Sequence, residues 1–137
     1  EKVIIYYAGH GNISGKYEYW DTPSGNINQV KLAKTFNTIP DCSSVVVFSD
    51  SCDSAHMVNQ IVMEKTYVSI GATKEHQDAS MSCDGGVLTG FLIETLRSTH
   101  EDCTLGEFWE HLNSYNVDIS EFNIRFSDAS LLEKPIF

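Results

Sequence analysis

Basic side chains are what this sequence has least of: Lys and Arg number 9 against 19 Asp and Glu in 137 residues, a formal charge of -10. Such a surface repels phosphate backbones and anionic lipid, which argues against nucleic acid and membrane surfaces as partners and favours a basic peptide or protein. The deficit is concentrated late in the chain. Residues 69–137 hold 12 acids and 4 bases, whereas residues 1–68 are nearly balanced at 7 and 5. No apolar run approaches the roughly 18 residues that a membrane span requires. Cys42, Cys52, Cys83 and Cys103 show neither C-x-x-C nor His/Cys zinc spacing. Four cysteines could form two disulfides, but nothing marks the chain as secreted, so they read as reduced thiols of a cytoplasmic protein. No initiating Met, signal peptide or polar lead-in precedes Val3-Ile4-Ile5-Tyr6-Tyr7, so the chain reads as a piece of a longer polypeptide. Internal repeats, low-complexity tracts and linkers are also missing.

What is present suits a packed core, since 42% of the residues are hydrophobic and 20% charged. Short runs rich in Val, Ile and Tyr at residues 3–8, 45–48 and 67–70 read as buried strands. Residues 9–25, punctuated by Gly, Asn, Ser and Pro, read as a loop. A helix is expected from about Asn26, with Ile27, Val30, Ala33 and Phe36 as its apolar stripe and Pro40 closing it. A shorter helical face over residues 54–63 carries Met57, Val58, Ile61 and Val62. Gly85-Gly86 opens a helix over 87–97, striped by Val87, Leu88, Phe91, Leu92 and Leu96. Thr104-Leu105-Gly106-Glu107 is a capping box, which predicts a helix through Tyr115 that buries Leu105, Phe108, Trp109 and Leu112. Residues 122–126 alternate weakly as a last strand. Strands alternating with helices predict an α/β fold with a mostly parallel sheet flanked by helices.

Ligands of such sheets bind beyond the carboxyl ends of the strands, so the residues that follow each strand carry the chemistry. After the first strand comes Gly9-His10-Gly11, and after the second Ser49-Asp50-Ser51-Cys52-Asp53-Ser54. After the third comes Gly71-Ala72-Thr73-Lys74-Glu75-His76-Gln77-Asp78. A thiol is only a few per cent thiolate at neutral pH, and an imidazole beside it can take its proton and later protonate a leaving amine. Gly11 lets a substrate carbonyl approach the backbone, and its N–H together with that of Cys52 could hold a developing oxyanion. Thiol hydrolysis of an amide is the reaction these parts support. Taken singly, His10 also fits a turn residue and Cys52 a small buried apolar group. Their joint placement on one rim is the signal.

Ile4-Ile5-Tyr6-Tyr7-Ala8-Gly9-His10-Gly11 resembles the strand-then-His-Gly motif of caspase-like cysteine peptidases, metacaspases and paracaspases above all. Val45-Val46-Val47-Phe48-Ser49-Asp50-Ser51-Cys52-Asp53-Ser54 is similar to their second motif, a strand followed by Asp-x-Cys. His10 and Cys52 are 42 residues apart, near the separation of about 50 of caspases. Residues 69–77 and the Gly-led run Gly85–Leu92 resemble later blocks of the same family. The resemblance implies a caspase-like (caspase-hemoglobinase) fold, with residues 1–137 as one peptidase domain that lacks the family's N-terminal strand–helix–strand unit. It implies Cys52 as nucleophile, His10 as general base then acid, and Gly11 and Cys52 as oxyanion-hole donors. True caspases carry Gln two positions before the nucleophile, with arginines that grip a substrate Asp. Here Asp50 stands at that position, and Arg97 and Arg125 are the only arginines. By the resemblance Asp50, with Glu75 as a second acid, lines an S1 pocket for a P1 Arg or Lys, where Arg can pair bidentately. Asp50 also suits the N-cap of the helix after Cys52. The nucleophile is followed by Asp53-Ser54, where relatives carry His-Ser or Arg-Gly.

No cofactor is expected, with calcium left open: Asp78, Asp84 and the acidic loop after Gln77 could take it, as some metacaspases do, although they lack the regular oxygen spacing of a calcium loop. His10, Cys52 and His56 make at most half of a metal site. His76, His100 and His111 read as surface or packing residues, and Trp20 and Trp109 as core or pocket wall. The expected partners are a polypeptide substrate with basic residues and the remainder of a longer chain or a partner subunit. Two other readings stay open: a catalytically inactive caspase-like scaffold or interaction module, and a partner-activated peptidase domain of a multidomain defence or cell-death effector.

Overall fold

The computed structural model describes residues 2–38, 44–55, 66–74, 76–79, 81–82, 85–98, 102–114 and 122–136, with residues 81–82 as backbone only. Strand β1 (Lys2–Ala8) leads into a meander of β2 (Gly11–Ser14), β3 (Tyr17–Thr22) and β4 (Gly25–Asn28), followed by helix α1 (Gln29–Asn37). Then come β5 (Ser44–Asp50), β6 (Thr66–Gly71) and a small hairpin of β7 (Met81–Ser82) and β8 (Gly85–Gly86). Helices α2 (Val87–Ser98) and α3 (Leu105–Ser114), β9 (Asn123–Phe126) and a 3-10 turn at Ala129–Glu133 complete the order. The main sheet runs β1-β5-β6-β9, its first three strands parallel and β9 antiparallel to β6. This is an α/β architecture with a mostly parallel sheet flanked by helices.

Strand β5 sits between two parallel neighbours and is buried on both faces, which is why it reads as continuous Val-Val-Val-Phe instead of alternating. Val45 and Val47 pack with Tyr67, Trp20 and the α1 residues Leu32 and Ala33 on one face. Val46 and Phe48 pack with Val68, Ile70 and the inward residues of α2 and α3 on the other, including Leu88, Phe91, Phe108 and Leu112. The capping box forms as the sequence predicts: the Thr104 amide donates to Glu107 Oε2 at 2.9 Å, and the Glu107 amide donates to Thr104 Oγ1 at 3.1 Å.

Three expectations are corrected. Residues 9–25 are a three-stranded antiparallel sheet in large part, not a loop. Tyr17, Glu18, Tyr19 and Trp20 alternate in burial as a strand should, but an inward position is taken by Glu18, fully buried, which disguises the period. The first helix begins at Gln29, because the Asn28 side chain caps it by accepting from the Lys31 amide at 2.8 Å. The helix buries Gln29, Leu32 and Ala33, which leaves Val30 outward at 54% exposure, and Leu96 of α2 is likewise 50% exposed. Trp109 is only half-buried. The helix expected over residues 54–63 shows its first turn at Ser54 and Ala55, and its apolar face lies outside the described residues, as do Pro40 and Tyr115.

Phe48 is fully buried and meets Phe108 edge to face, with ring centroids 5.8 Å apart. Phe48→Ala is expected to cost about 3–5 kcal/mol through the cavity it opens. Phe48→Leu is expected to cost clearly less, and urea unfolding of both variants measures the difference. Equal losses would contradict the central place given to this ring.

Candidate active site

The parallel register of β1 and β5 sets Ala8 opposite Asp50, so the two strands end level. Adjacent strands lie about 4.8 Å apart, and His10 and Cys52 each follow two residues beyond that last pair. The Gly9 amide donates to the Asp50 carbonyl at 3.2 Å and carries the pairing one step past β1. His10, Asp50 and Cys52 line one cavity of about 340 Å3, with Ala79, Gly85 and Gly86 on its other side.

Asp50 is the unusual member. Its residue is 4% exposed, and its Oδ2 accepts from the Thr89 amide at 2.7 Å and from the Thr89 hydroxyl. Oδ1 is buried without a hydrogen-bond partner among the described residues. Burial pushes this carboxyl above its ordinary pKa, and the two Thr89 hydrogen bonds oppose that shift. The carboxylate therefore caps the first turn of α2, where the helix dipole favours an anion, and not the helical turn that starts at Ser54. A Cβ on Gly86 would overlap the carboxylate, and Gly85 has φ +121, so the double glycine lets α2 start against the acid.

Cys52 sits on a turn held from several directions. Its half-buried Sγ accepts from the Ala79 amide at 3.4 Å. Asp53 takes φ +58, an uncommon conformation for a non-glycine residue, and its amide donates to the Gln77 carbonyl at 2.9 Å. Ser54 and Thr73, both fully buried, exchange amide-to-hydroxyl hydrogen bonds of 2.9 Å in each direction. The Thr73 hydroxyl also donates to the Ser51 carbonyl at 3.3 Å, and Asn123 donates to the Thr73 carbonyl at 2.8 Å. The end of β6 and the start of β9 thus fix the thiol turn.

On the imidazole side, His10 is exposed and its backbone is braced by Tyr7. The Tyr7 hydroxyl is shared between the carbonyls of His10 (2.8 Å) and Asp21 (2.9 Å), and its ring stacks on Trp20 at 4.6 Å. The Trp20 indole donates to Ser49 Oγ at 2.8 Å, which ties the meander to β5. The Asp21 amide donates to the His10 carbonyl at 3.0 Å, so Gly11 and Trp20 form a non-hydrogen-bonded pair and the Gly11 amide turns away from β3. Gly11 packs so closely on the Cys52 carbonyl that a Cβ would overlap it.

The structure therefore brings His10, Gly11, Asp50 and Cys52 together. Glu75, Cys42, Cys83, His56, Asp84 and His100 lie outside the described residues. Cys52 and Cys103 are free thiols. Trp20 belongs to the core at 3% exposure, whereas His76 is exposed and His111 lies against Phe91. Among the described residues no group of three or more His, Cys, Asp or Glu is placed to hold a metal ion. Thr89, Tyr7 and the Ser54–Thr73 pair escaped sequence reasoning, because neither their residue type nor their spacing marks them. A Gly-Gly pair just before a helix was the one available hint that something approaches the start of α2.

No protein-family model matches the sequence, and no curated protein matches it. Among solved structures the chain is similar to protein GSU0716 from Geobacter sulfurreducens, with a TM-score of 0.75 and 16% identity over 98% of this chain and 70% of that one. At that identity the likeness speaks for the fold alone. No helix among the described residues is long and apolar enough to cross a membrane.

Two predictions concern the site as a structure. Gly86→Ala is expected to destabilise the protein by about 1–3 kcal/mol by forcing α2 off the carboxylate. Gly90→Ala, four residues on in open space, is expected to stabilise it by about 1 kcal/mol. Thermal unfolding measures both, and a neutral Gly86→Ala would contradict the close approach. Asp50→Asn is expected to raise Tm at neutral pH. With a folded pKa above the unfolded one, Asp50 loses stability as pH rises through the window between them, and Asn removes that loss. The advantage should vanish as pH falls to the ordinary carboxylate range, and a gain independent of pH would contradict the assignment.

Proposed function

We propose that this chain is a caspase-like cysteine endopeptidase that hydrolyses peptide bonds after Arg or Lys, with Cys52 as nucleophile and His10 as general base and acid. The observation that carries the reading is the convergence of an imidazole, a thiol and a buried, half-satisfied carboxylate on one cavity at the carboxyl ends of adjacent parallel strands. His10 takes the Cys52 proton, and Sγ attacks the scissile carbonyl carbon. The carbonyl electron pair moves onto oxygen, where the amides of Gly11 and Cys52 are the assigned donors. As the C–N bond breaks, His10 gives its proton to the leaving amine. Water, deprotonated by His10, then opens the thioester and returns the thiol.

Asp50 supplies the specificity. An acid with a free buried oxygen is costly unless a cation arrives, and a P1 Arg or Lys brings one. Glu75 joins it by the family resemblance alone. The net charge of -10 draws a basic polypeptide toward the same surface.

Matched peptides with Arg, Lys or Asp at P1, offered to the full-length protein, test the reading. Cleavage after Arg and Lys is expected, abolished by Cys52→Ala and lowered roughly 10²–10⁴-fold by His10→Ala. Asp50→Ala should lower kcat/KM for the basic substrates by at least about 10²-fold, the order expected for breaking a buried charge pair. For wild type, kcat/KM on basic substrates should fall as pH drops through the raised pKa of Asp50, because only the ionised acid binds the cation. Undiminished cleavage by Cys52→Ala, or a preference for P1 Asp, refutes the proposal.

A further inference from the structure

We propose that Thr89 determines how the cation is read: by filling Asp50 Oδ2 it leaves Oδ1 as a single acceptor, so the cavity takes a P1 lysine ammonium as readily as a P1 arginine guanidinium. This inference rests on the reading of the cavity as a peptidase site with a basic P1 preference, and it adds a specificity-setting residue to it.

A carboxylate offers about four lone-pair sites, two on each oxygen. Both sites of Oδ2 are taken by one residue, through the Thr89 amide at 2.7 Å and the Thr89 hydroxyl. Oδ1 is buried and unpartnered among the described residues. Gly86 lies so close to the carboxylate that a Cβ there would overlap both oxygens, which packs the group against the start of α2. The arrangement is further set by Tyr6, whose hydroxyl lies 2.6 Å from Thr89 Oγ1. Thr89 has one hydroxyl proton, and the carboxylate claims it. Tyr6 must therefore donate to Thr89, which gives a one-way chain of donors ending on Oδ2.

Guanidinium reads a carboxylate best with two parallel N–H bonds, one to each oxygen. Ammonium is a compact charge with freely turning donors and loses nothing when only one oxygen is open. The bidentate advantage that arginine ordinarily holds over lysine is thus removed by a neighbour that never touches substrate. Thr89 is a positioning residue.

The test uses the full-length protein on peptides that differ only in Lys or Arg at P1, together with butylammonium and butylguanidinium binding to its Cys52→Ala variant by thermal shift. Wild type is expected to show an Arg-to-Lys ratio of kcat/KM within about threefold. Thr89→Val keeps the amide, frees one site on Oδ2, and should move the ratio toward Arg by about five- to tenfold. Thr89→Ser should keep the wild-type ratio. Loss of one donor also raises the pKa of Asp50, so the acid limb for basic substrates should shift to higher pH in Thr89→Val. Among the described residues the other titratable groups on the cavity are His10 and Cys52, with Tyr6 behind Thr89, and the substitution leaves all three in place. A purely structural role would lower both substrates equally and leave the limb unmoved, which overturns the proposal. So does a wild-type preference for Arg of about tenfold or more, a result that decides the matter even if Thr89→Val does not fold. Preference for P1 Asp, or no binding of either cation together with no cleavage, overturns instead the basic-P1 reading beneath it.

Discussion

Much of this molecule depends on the register between β1 and β5. With Ala8 opposite Asp50, the odd and even residues of both strands are assigned to fixed faces of the sheet. A slip of one residue would turn the inward set of one strand outward. Val46 and Phe48 face the α2 and α3 side while Val45 and Val47 face α1, and both sets are buried. Each face therefore penalises the slip independently. The same register fixes where the two strands stop, so the packing that stabilises the sheet also sets His10 and Cys52 on one rim.

The site works against part of that stability. An acid held at 4% exposure with one oxygen unpartnered is a group the fold would do better without. Its surroundings soften the cost without removing it: the N-terminal turn of α2, two donors from Thr89 and a glycine that permits close approach. Asp53 adds a left-handed backbone beside the thiol, of the kind that costs roughly 1 kcal/mol and persists where the surroundings hold it. Asp53 and the unmet oxygen of Asp50 thus lie within a few residues of the cavity, and Ser69 Oγ of β6, beside Val47, is a second buried atom without a hydrogen-bond partner among the described residues.

How much of this could be read from the chain depended on whether local pattern and tertiary environment agreed. Val45 to Phe48 announced a doubly buried strand, and the Thr104–Glu107 box announced the start of α3, because both are written in a few consecutive residues. His10, Asp50 and Cys52 were legible because each follows a strand. The meander was not, since buried Glu18 replaces the apolar residue that would have shown the alternation; its amide is met by the Gln29 side chain, a contact between segments that no local period encodes. Val30 shares the spacing of the apolar stripe yet faces outward, because α1 turns Gln29, Leu32 and Ala33 to the core. Thr89, Ser54 and Thr73 act through partners 19 to 39 positions away, and an isolated threonine or serine carries no sign of that.

The meander has a consequence for remaking this protein. Exposed stretches rich in Gly, Asn and Ser are where chains commonly accept added residues. Here that freedom is confined to two tips. Gly15-Lys16 and Pro23-Ser24 are the exposed turns of the two hairpins, so a tag or sensor inserted at Gly15 or at Pro23-Ser24 can be hosted outside the sheet, clear of the Lys16 carbonyl that accepts from the buried Gln29 side chain at 3.2 Å. Lengthening the segment between Gly11 and Ile13 instead would draw Trp20 off the Tyr7 ring and take the His10 carbonyl with it. Grafts are therefore better sited at hairpin apices than along the legs.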